Sequence, residues 1–291
     1  MTLYIIGNGF DLKHGIPSRY SDFAKFVNNT DLSFFQRMER FYPNLSNGDL
    51  WNNFENALGM PDYKEIAKDY KISKQKSDTE RDDFIGVRKD ILAEKMGKWL
   101  YALTELITSH NYEKKYILDK NSYFLTFNYT PTLECIYKIN GKNICHIHDR
   151  VHYEEDHDRV HYEEESSKYY TGYNWGHGRT SSEPDIEMIL QQEVSENYDK
   201  IKEVINDFAK EYKTSDCESF LNKIKSTNTI DTIICLGHSL ASVDYPYFNK
   251  IKETFPNAIW KIGYYDEADM INKLYYCSEI ELNNKQFFQD H

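Results

Sequence analysis

Short, mostly apolar runs alternate along this chain with longer segments in which apolar residues recur at helical spacing. The runs are 3–6, 123–127, 143–148, 232–236 and 258–262, and each is followed by turn-forming or polar residues. Runs of this length with such boundaries predict buried strands. Because the strands alternate with helical segments, we expect an α/β fold with a doubly wound, mostly parallel sheet.

The segment between the first two strands is dominated by helical patterns. Its longest pattern runs from 84 to 107, with apolar residues such as Trp99 on one side. That periodicity predicts an amphipathic helix. We expect a single α/β domain over 1–291, with a helical insertion over about 31–118 and a variable His- and Glu-rich loop over about 149–180.

A tandem repeat begins at His148 and extends into the predicted variable loop. The eight residues His148 to Glu155 recur as His157 to Glu164, with an offset of nine residues. Four histidines and several carboxylates at short spacing are good metal ligands. Identity over eight consecutive residues, however, is typical of a recent duplication, since a metal site needs only particular ligands. We therefore favour a duplicated, solvated loop and expect no metal.

The charge balance weighs against nucleic-acid binding. The chain carries 35 Lys and Arg against 47 Asp and Glu, a formal net charge of −12, and its longest basic stretch, 71–89, also contains acidic residues. Nucleic-acid binding depends largely on cationic side chains that neutralise phosphates. Aromatic residues make up 15% of the chain, which supplies the apolar area of a folded core.

Neither a membrane segment nor a cysteine framework is indicated. The longest apolar runs are far shorter than the roughly 18 to 20 residues that cross a bilayer, and the amino terminus leads directly into a predicted strand. The five cysteines have no C-x-x-C spacing, so a disulfide framework or a cysteine zinc site is not expected. We expect a cytoplasmic protein without a membrane partner.

Candidate chemistry lies in the residues that follow the strands, because ligands of open α/β sheets bind beyond the carboxyl ends of their strands. These residues are 7–11, Asn128, His148 and 237–239. Glycines allow close approach of the backbone, and free N–H groups at helix starts can bind a pyrophosphate without lysines. We also expect Thr130 to cap a helix that has Pro131 at its first position.

Four motifs resemble those of the sirtuins, in the same order along the chain. The nucleotide loop resembles Gly7-Asn8-Gly9-Phe10-Asp11 with Gly15-Ile16-Pro17, and the stretch with the catalytic Asn resembles Thr126-Phe127-Asn128-Tyr129. The strand that leads to the catalytic His resembles His146-Ile147-His148, and the ribose motif resembles Gly237-His238-Ser239-Leu240. Thr130 and Asp149 depart from the Asp and Gly that are usual at those positions. The resemblance implies a Rossmann-like, sirtuin-like NAD-binding fold.

The combination of motifs resembles the AbiH family of bacterial phage abortive-infection proteins more closely. That likeness adds Asp244-Tyr245-Pro246-Tyr247 and, in the helical layer, Trp51 with Phe54-Glu55. It implies antiphage defence by arrest or death of the infected cell. The sirtuin-like motifs imply cleavage of the nicotinamide–ribose bond of NAD, whereas the missing paired C-x-x-C module disfavours protein deacylation.

The resemblance also implies roles for individual residues. His148 is the candidate base and Asn128 the residue that positions water or ribose. Binding of NAD, the substrate, falls to the loop residues Gly7, Asn8, Gly9, Phe10, Asp11, Gly15, Ile16, Pro17, Thr126, Gly237 and Ser239. Because its charge would repel pyrophosphate, Asp11 contacts a ribose hydroxyl or caps a helix in this interpretation.

Simpler interpretations of these side chains stay open. His146 shares a strand face with His148, and we expect it to be a satisfied core histidine. Asn128 can equally be a turn residue before a helix. We expect His238 to be a spacer rather than a base, and His177 either belongs to a loop or helps to close the pocket.

Three functions follow from these observations. The leading hypothesis is an NAD glycohydrolase that acts in antiphage defence. The first alternative is a nucleotide-sensing module that binds NAD or a related nucleotide without turnover. A metal-dependent nuclease or phosphohydrolase that uses the repeat is the weakest. Because an enzyme that depletes NAD must be held inactive, we expect a trigger from the phage, from a partner defence protein or from homo-oligomerisation.

Overall fold

The computed structural model describes residues 1–43, 54–66, 68, 89–148, 202, 205–209, 212 and 214–290. The chain divides into two compact units. The first comprises Met1–Ser18, Leu100–Glu164 and Tyr212–His291, and the second comprises Arg19–Trp99 and Glu165–Glu211. The second copy of the repeat, Trp51 and His177 lie outside the described residues. The predicted single domain with its insertion and variable loop stays a prediction.

The first unit contains a six-stranded sheet, counted over the described residues, in which every strand pair is parallel. The order is β3-β2-β1-β4-β5-β6. The strands are β1 Thr2–Ile6, β2 Tyr123–Thr126, β3 Ile144–His146, β4 Thr232–Leu236, β5 Ile259–Tyr264 and β6 Lys285–Gln289. This sheet, flanked by helices, confirms the predicted mixed α/β class with mostly parallel strands.

Nine helices with defined bounds lie in the described part of the chain. They are α1 Asn8–Lys13, α2 Tyr20–Thr30, α3 Leu32–Phe41, α4 Phe54–Leu58, α5 Lys89–Ser109, α6 Thr132–Cys135, α7 Thr214–Thr227, α8 Tyr245–Thr254 and α9 Glu267–Glu279. Within its described residues, α5 confirms the longest predicted helical pattern. Helix α6 begins later than expected, because Pro131, not Thr130, is its cap residue.

Alternation along the central strands determines where the core of the first unit lies. Leu3 and Ile5 of β1 are buried in one apolar cluster, whereas Tyr4 stacks on Phe124 of β2 with ring centroids 5.0 Å apart. Successive strand residues point to opposite faces, so the sheet is apolar on both. The cluster around Leu3 and Ile5 includes residues of β4, α7 and α8: Ile233, Cys235, Cys217, Leu221, Ile224, Tyr247, Phe248 and Ile251.

Helix α1, which follows β1, is anchored at its far end. His14 Nδ1 lies 2.7 Å from the Phe10 carbonyl oxygen, and its Nε2 lies 2.7 Å from the Tyr137 hydroxyl. Lys13 pairs with Asp290, which also accepts from the Tyr116 hydroxyl. The segment from Gly7 to the end of α1 is therefore held at both ends, by β1 and by this anchor.

The second unit contains α2, α3 and α4 and the beginning of α5. Phe23 packs against Phe54 and Trp99, with ring centroids 5.8 Å and 5.3 Å apart. Asp31 caps α3 by accepting from the Phe34 amide and pairs with Lys95 at 2.7 Å. Those hydrogen bonds and the lysine charge lower the pKa of Asp31 to about 2.

Two details of the sheet differ from the sequence prediction. Strand β3 ends at His146, two residues before His148, because the Ile147 amide makes its last bond to β2, 2.9 Å from the Thr126 oxygen. Strand β6 was not predicted. Its residues, Lys285 to Gln289, include no fully buried position, so this edge strand lacks the alternating apolar pattern that would reveal it.

Candidate functional site

The predicted site residues lie at one edge of the sheet. Ile6 of β1 is level with Thr126 of β2 and Leu236 of β4, so the loops after these three adjacent strands begin side by side. Asn128 and Gly237 lie in two of those loops, and Gly7 lies in the third. The strand order switches sides at β1, since β2 and β3 lie on one side of it and β4, β5 and β6 on the other. Such sheets bind ligands at this switch point.

Two glycine loops pack directly against each other at this edge. A Cβ on Gly7 would lie 2.5 Å from the His238 Cα, and one on Gly9 would lie 2.8 Å from the Gly237 Cα. Gly237 has a positive φ of 63°, and a Cβ there would lie 2.1 Å from the Phe10 nitrogen. All three positions therefore require glycine for contact between backbones, whether or not a ligand is bound.

The same packing uses amides that were candidates for binding phosphate. The Gly9 amide donates to the Gly237 carbonyl at 2.8 Å, and the Gly7 amide donates to the Leu236 carbonyl at 3.0 Å. Helix α1, which begins at Asn8 and includes Gly9, has only six residues. Any anion at this edge would thus depend on groups other than the Gly7 and Gly9 amides.

The other predicted loop residues fall into two groups. Phe10 and Ile16 are buried, and the Phe10 ring stacks on Tyr116 at 4.9 Å, so both belong to the core. The exposed residues are Asn8, Gly15, Pro17 and Ser239. The Asn8 Oδ1 accepts a hydrogen bond from Ser18 at 2.6 Å. Their positions in the sequence motif did not distinguish the buried residues from the exposed ones.

Asn128 lies at the centre of the site in the loop after β2. Its backbone amide donates to the Thr126 hydroxyl at 3.1 Å, and its side chain is 6% exposed. Within the described part of the chain, neither Oδ1 nor Nδ2 of that side chain has a hydrogen-bond partner. Buried amides are normally bonded, because an unpaired polar group costs about 1–3 kcal/mol.

Asp11 supplies a second buried polar group beside Asn128. It is 0% exposed, and its Oδ2 accepts a hydrogen bond from the Thr130 hydroxyl. Among the described residues, no hydrogen-bond donor reaches its Oδ1. This contact explains why Thr130 does not cap α6 as predicted: its hydroxyl is directed to the carboxyl of Asp11.

The pKa of Asp11 is raised from 3.8 to about 6. Burial is the main cause, since it disfavours the charged form, and the negative charge of Glu134 adds to it. The hydrogen bond from Thr130 and the nearby polar side chains of Thr132 and Asn128 act in the opposite direction. The carboxyl thus takes up a proton at a higher pH than an exposed aspartate does.

His148 belongs to a cluster of two histidines and one carboxylate. Its Nε2 lies 3.9 Å from Asp244 Oδ1, and the His238 Nε2 lies 3.5 Å from Asp244 Oδ2. All three residues are buried. The Phe127 ring, next to Asn128 in sequence, packs edge-on against both imidazoles, with centroids 5.4 Å from His148 and 4.3 Å from His238.

His146 is a satisfied histidine, as expected from the sequence. Its Nε2 lies 2.9 Å from Glu134 Oε1, and its Nδ1 lies 3.3 Å from the Asn128 carbonyl oxygen. These contacts fix the imidazole at the end of β3. His146 therefore supports the loop that carries Asn128.

Thr130 and Asp244 are the site residues that the sequence analysis missed. Asp244 was noted only as part of a family motif, and Thr130 only as a helix cap. A signal was available for Asp244, since an acidic residue shortly after a strand end lies at the edge where ligands bind. Nothing in its spacing, however, indicates that it faces two histidines from different loops.

Two negative findings apply to the described residues. There, no group of three or more His, Cys, Asp or Glu side chains has an arrangement that could hold a metal ion. Most of the repeat lies outside those residues, so its metal hypothesis is not addressed. No helix in the same part of the chain combines the length and apolar character needed to span a bilayer.

Comparison with known families decides the relationship of this chain. The family described as bacteriophage abortive infection AbiH matches residues 3–264, which include all of β1 except Thr2, the strands β2 to β5 and all the site residues above. The chain belongs to the AbiH family. Membership implies a role in abortive infection, a defence against phage. No curated protein sequence is significantly similar to the chain.

Proposed function

We propose that this AbiH protein hydrolyses NAD at the nicotinamide–ribose bond in response to phage infection. The observation that carries the proposal is the buried Asn128 amide, which has no partner among the described residues and lies beside Asp11 at the carboxyl edge of the sheet. The strand order β3-β2-β1-β4-β5-β6 supports it, because dinucleotide-binding sheets use this order. The finer Rossmann-like, sirtuin-like assignment is part of the proposal.

A sugar hydroxyl fits the two unpartnered groups better than an anion does. The Asn128 amide offers both a donor and an acceptor, and Asp11 Oδ1 offers an acceptor. A hydroxyl can accept from Asn128 and donate to Asp11 at the same time, whereas a phosphate would be repelled by an ionised Asp11. We therefore place a ribose of the dinucleotide at this point.

The phosphates and the remaining contacts fall to the loop residues. Gly7, Gly9 and Gly237 shape the loops by packing, and the Gly7 and Gly9 amides are already bonded. The exposed side chains of Asn8 and Ser239 are thus the more direct candidates for phosphate contact in this proposal.

The proposed reaction assigns one step to each central residue. The bond between ribose C1′ and the nicotinamide nitrogen breaks, and its electron pair leaves with neutral nicotinamide. Water oxygen forms a bond to C1′, and the water proton passes to His148, which later releases it to solvent. Asn128 orients the water or the ribose. The products are nicotinamide, ADP-ribose and one proton.

The test measures nicotinamide release by the purified full chain incubated with NAD, alone and with lysate from phage-infected cells. We expect Asn128→Ala and His148→Ala to lower the rate by about 100-fold or more. Asn121→Ala and His110→Ala are the matched controls, since both residues are exposed, and should retain the wild-type rate.

The outcome in cells separates this proposal from the binding alternative. If the wild-type chain protects cells but releases no nicotinamide under any of these conditions, hydrolysis is wrong. Tight NAD binding by calorimetry in that case would favour the nucleotide-sensing module. Protection that survives in His148→Ala would favour it as well.

A further inference from the structure

The two carboxylate oxygens of Asp244 lie near two different histidines of the site. It is the last residue of the 3₁₀ turn Ser242–Asp244, immediately before α8, and it is buried. Oδ1 faces His148 Nε2 at 3.9 Å, and Oδ2 faces His238 Nε2 at 3.5 Å. One carboxylate therefore faces imidazoles that come from the loops after β3 and β4.

The tautomer of His238 follows from its contact with the backbone. Its Nδ1 lies 2.9 Å from the Leu240 amide nitrogen. An amide N–H can only donate, so His238 Nδ1 must be the acceptor and carries no proton. The proton of this imidazole is consequently on Nε2, directed at Asp244. Leu240 makes this contact with a φ of 61°, a conformation that costs a non-glycine residue about 1–2 kcal/mol.

The same carboxylate acts on the tautomer of His148. A carboxylate is an acceptor, so it favours a proton on the imidazole nitrogen that faces it. For His148 that nitrogen is Nε2, which leaves the lone pair on Nδ1. Tyr129 and Phe127 pack against the same ring, with centroids 5.7 Å and 5.4 Å away, and restrict its rotation.

We infer that Asp244 is the positioning residue of the site: it holds His148 as the Nε2–H tautomer, so that Nδ1 is the basic nitrogen, and His238 holds Asp244. A buried carboxylate that orients a histidine and selects its tautomer has large effects on rate in other hydrolases. The role of Nδ1 as a base rests on the proposed function. The tautomer itself does not, because it is a property of the free protein.

The first experiment is nuclear magnetic resonance of the full chain labelled with ¹⁵N in histidine, at a pH of about 8. His148→Gln identifies the His148 signals. In the wild-type chain, correlations to ring protons should show a protonated Nε2 and an unprotonated Nδ1. Asp244→Asn should move His148 toward the Nδ1–H tautomer, because an Asn side chain can donate to Nε2.

The second experiment measures NAD cleavage by the same proteins. Asp244→Asn should lower kcat by about 100-fold or more with KM changed by less than about threefold, since the residue acts through His148. Asp231→Asn is the matched control, because Asp231 is exposed at the start of β4 and pairs with the amino terminus. It should change neither kcat nor the His148 signals.

The two measurements distinguish failure of the inference from failure of the proposed reaction. An unchanged His148 tautomer in a folded Asp244→Asn protein overturns the inference, even if the wild-type chain cleaves NAD. A tautomer that moves as expected in a chain without any NAD cleavage supports the inference and contradicts the proposed reaction. His238→Gln tests the contact between His238 and Asp244. We expect this substitution to change the His148 tautomer less than Asp244→Asn does.

Discussion

Asp11 shows how burial changes the chemistry of a single residue in the site. In the sequence its charge conflicts with a loop that binds phosphate. In the structure it is fully buried, bonded to Thr130, and has a pKa raised to about 6. A carboxyl in that state suits a hydroxyl-bearing ligand. In the proposed function, burial thus reconciles an acid in this loop with a dinucleotide bound nearby.

The raised pKa of Asp11 predicts the pH dependence of stability. The unfolded chain ionises this carboxyl near 3.8 and the folded chain near 6, so stability falls as pH rises from about 4 to about 6 and then stays constant. The expected loss is about 3 kcal/mol. Asp11→Asn removes this titration. The free energy of unfolding of Asp11→Asn, relative to that of the wild type, should therefore rise by about the same amount between pH 4 and pH 7.

Urea denaturation of both proteins at several pH values in that range measures the difference. Thr130→Val provides a directional check, because loss of its hydroxyl raises the Asp11 pKa further and should extend the fall in stability above pH 6. If the difference between Asp11→Asn and wild type does not change with pH, the carboxyl does not titrate in this range.

The loops after β1 and β4 form the element on which the site depends. Their glycines allow backbones to approach within van der Waals contact, and their amides are bonded across the interface. Such loops are rigid because each is held by the other as well as by its strand. The site residues are consequently placed by the sheet and by loop packing together.

Gly237→Ala should therefore be far more destabilising than Gly15→Ala. Both glycines have positive φ, 63° and 78°, but a Cβ on Gly237 meets the Phe10 nitrogen at 2.1 Å, whereas one on Gly15 meets no described atom within 4 Å. Gly15→Ala should cost about 1–2 kcal/mol of backbone strain. Gly237→Ala should cost about 4 kcal/mol or more, because backbone must move. Equal unfolding midpoints in urea would contradict loop packing as the reason for Gly237.

The central strands and the edge strand β3 could be predicted from sequence, whereas the other edge strand, β6, could not. Buried runs such as Leu3 to Ile6 have a clear apolar pattern, and the residues after them fall at the predicted sheet edge. β6 lacks that pattern because it has no fully buried residue. Asp244 and His148 are distant in sequence, and their approach depends on the packing of two loops. No local pattern encodes such a contact.

At the scale of the whole molecule, the net charge of −12 limits how an anionic ligand is bound. This charge disfavours affinity for a dinucleotide through a strongly basic surface of the kind that binds nucleic acids. In the proposed function the affinity comes from buried groups such as Asn128 and from packed loops. Abortive infection, the role implied by the family, also requires that such a site be silent until infection.

The whole-molecule charge predicts an unusual salt dependence for the proposed reaction. NAD has a net charge of about −1 at neutral pH, so an acidic protein repels it at long range. The screening length falls from about 30 Å at 0.01 M salt to about 8 Å at 0.15 M salt. We expect kcat/KM for NAD to rise by about twofold over this range, while kcat, which reports the bound complex, stays constant. Nicotinamide release measured at several sodium chloride concentrations tests this. A tenfold fall in kcat/KM would instead mean that cationic side chains bind the phosphates, which would contradict recognition by the buried polar groups and packed loops of this edge.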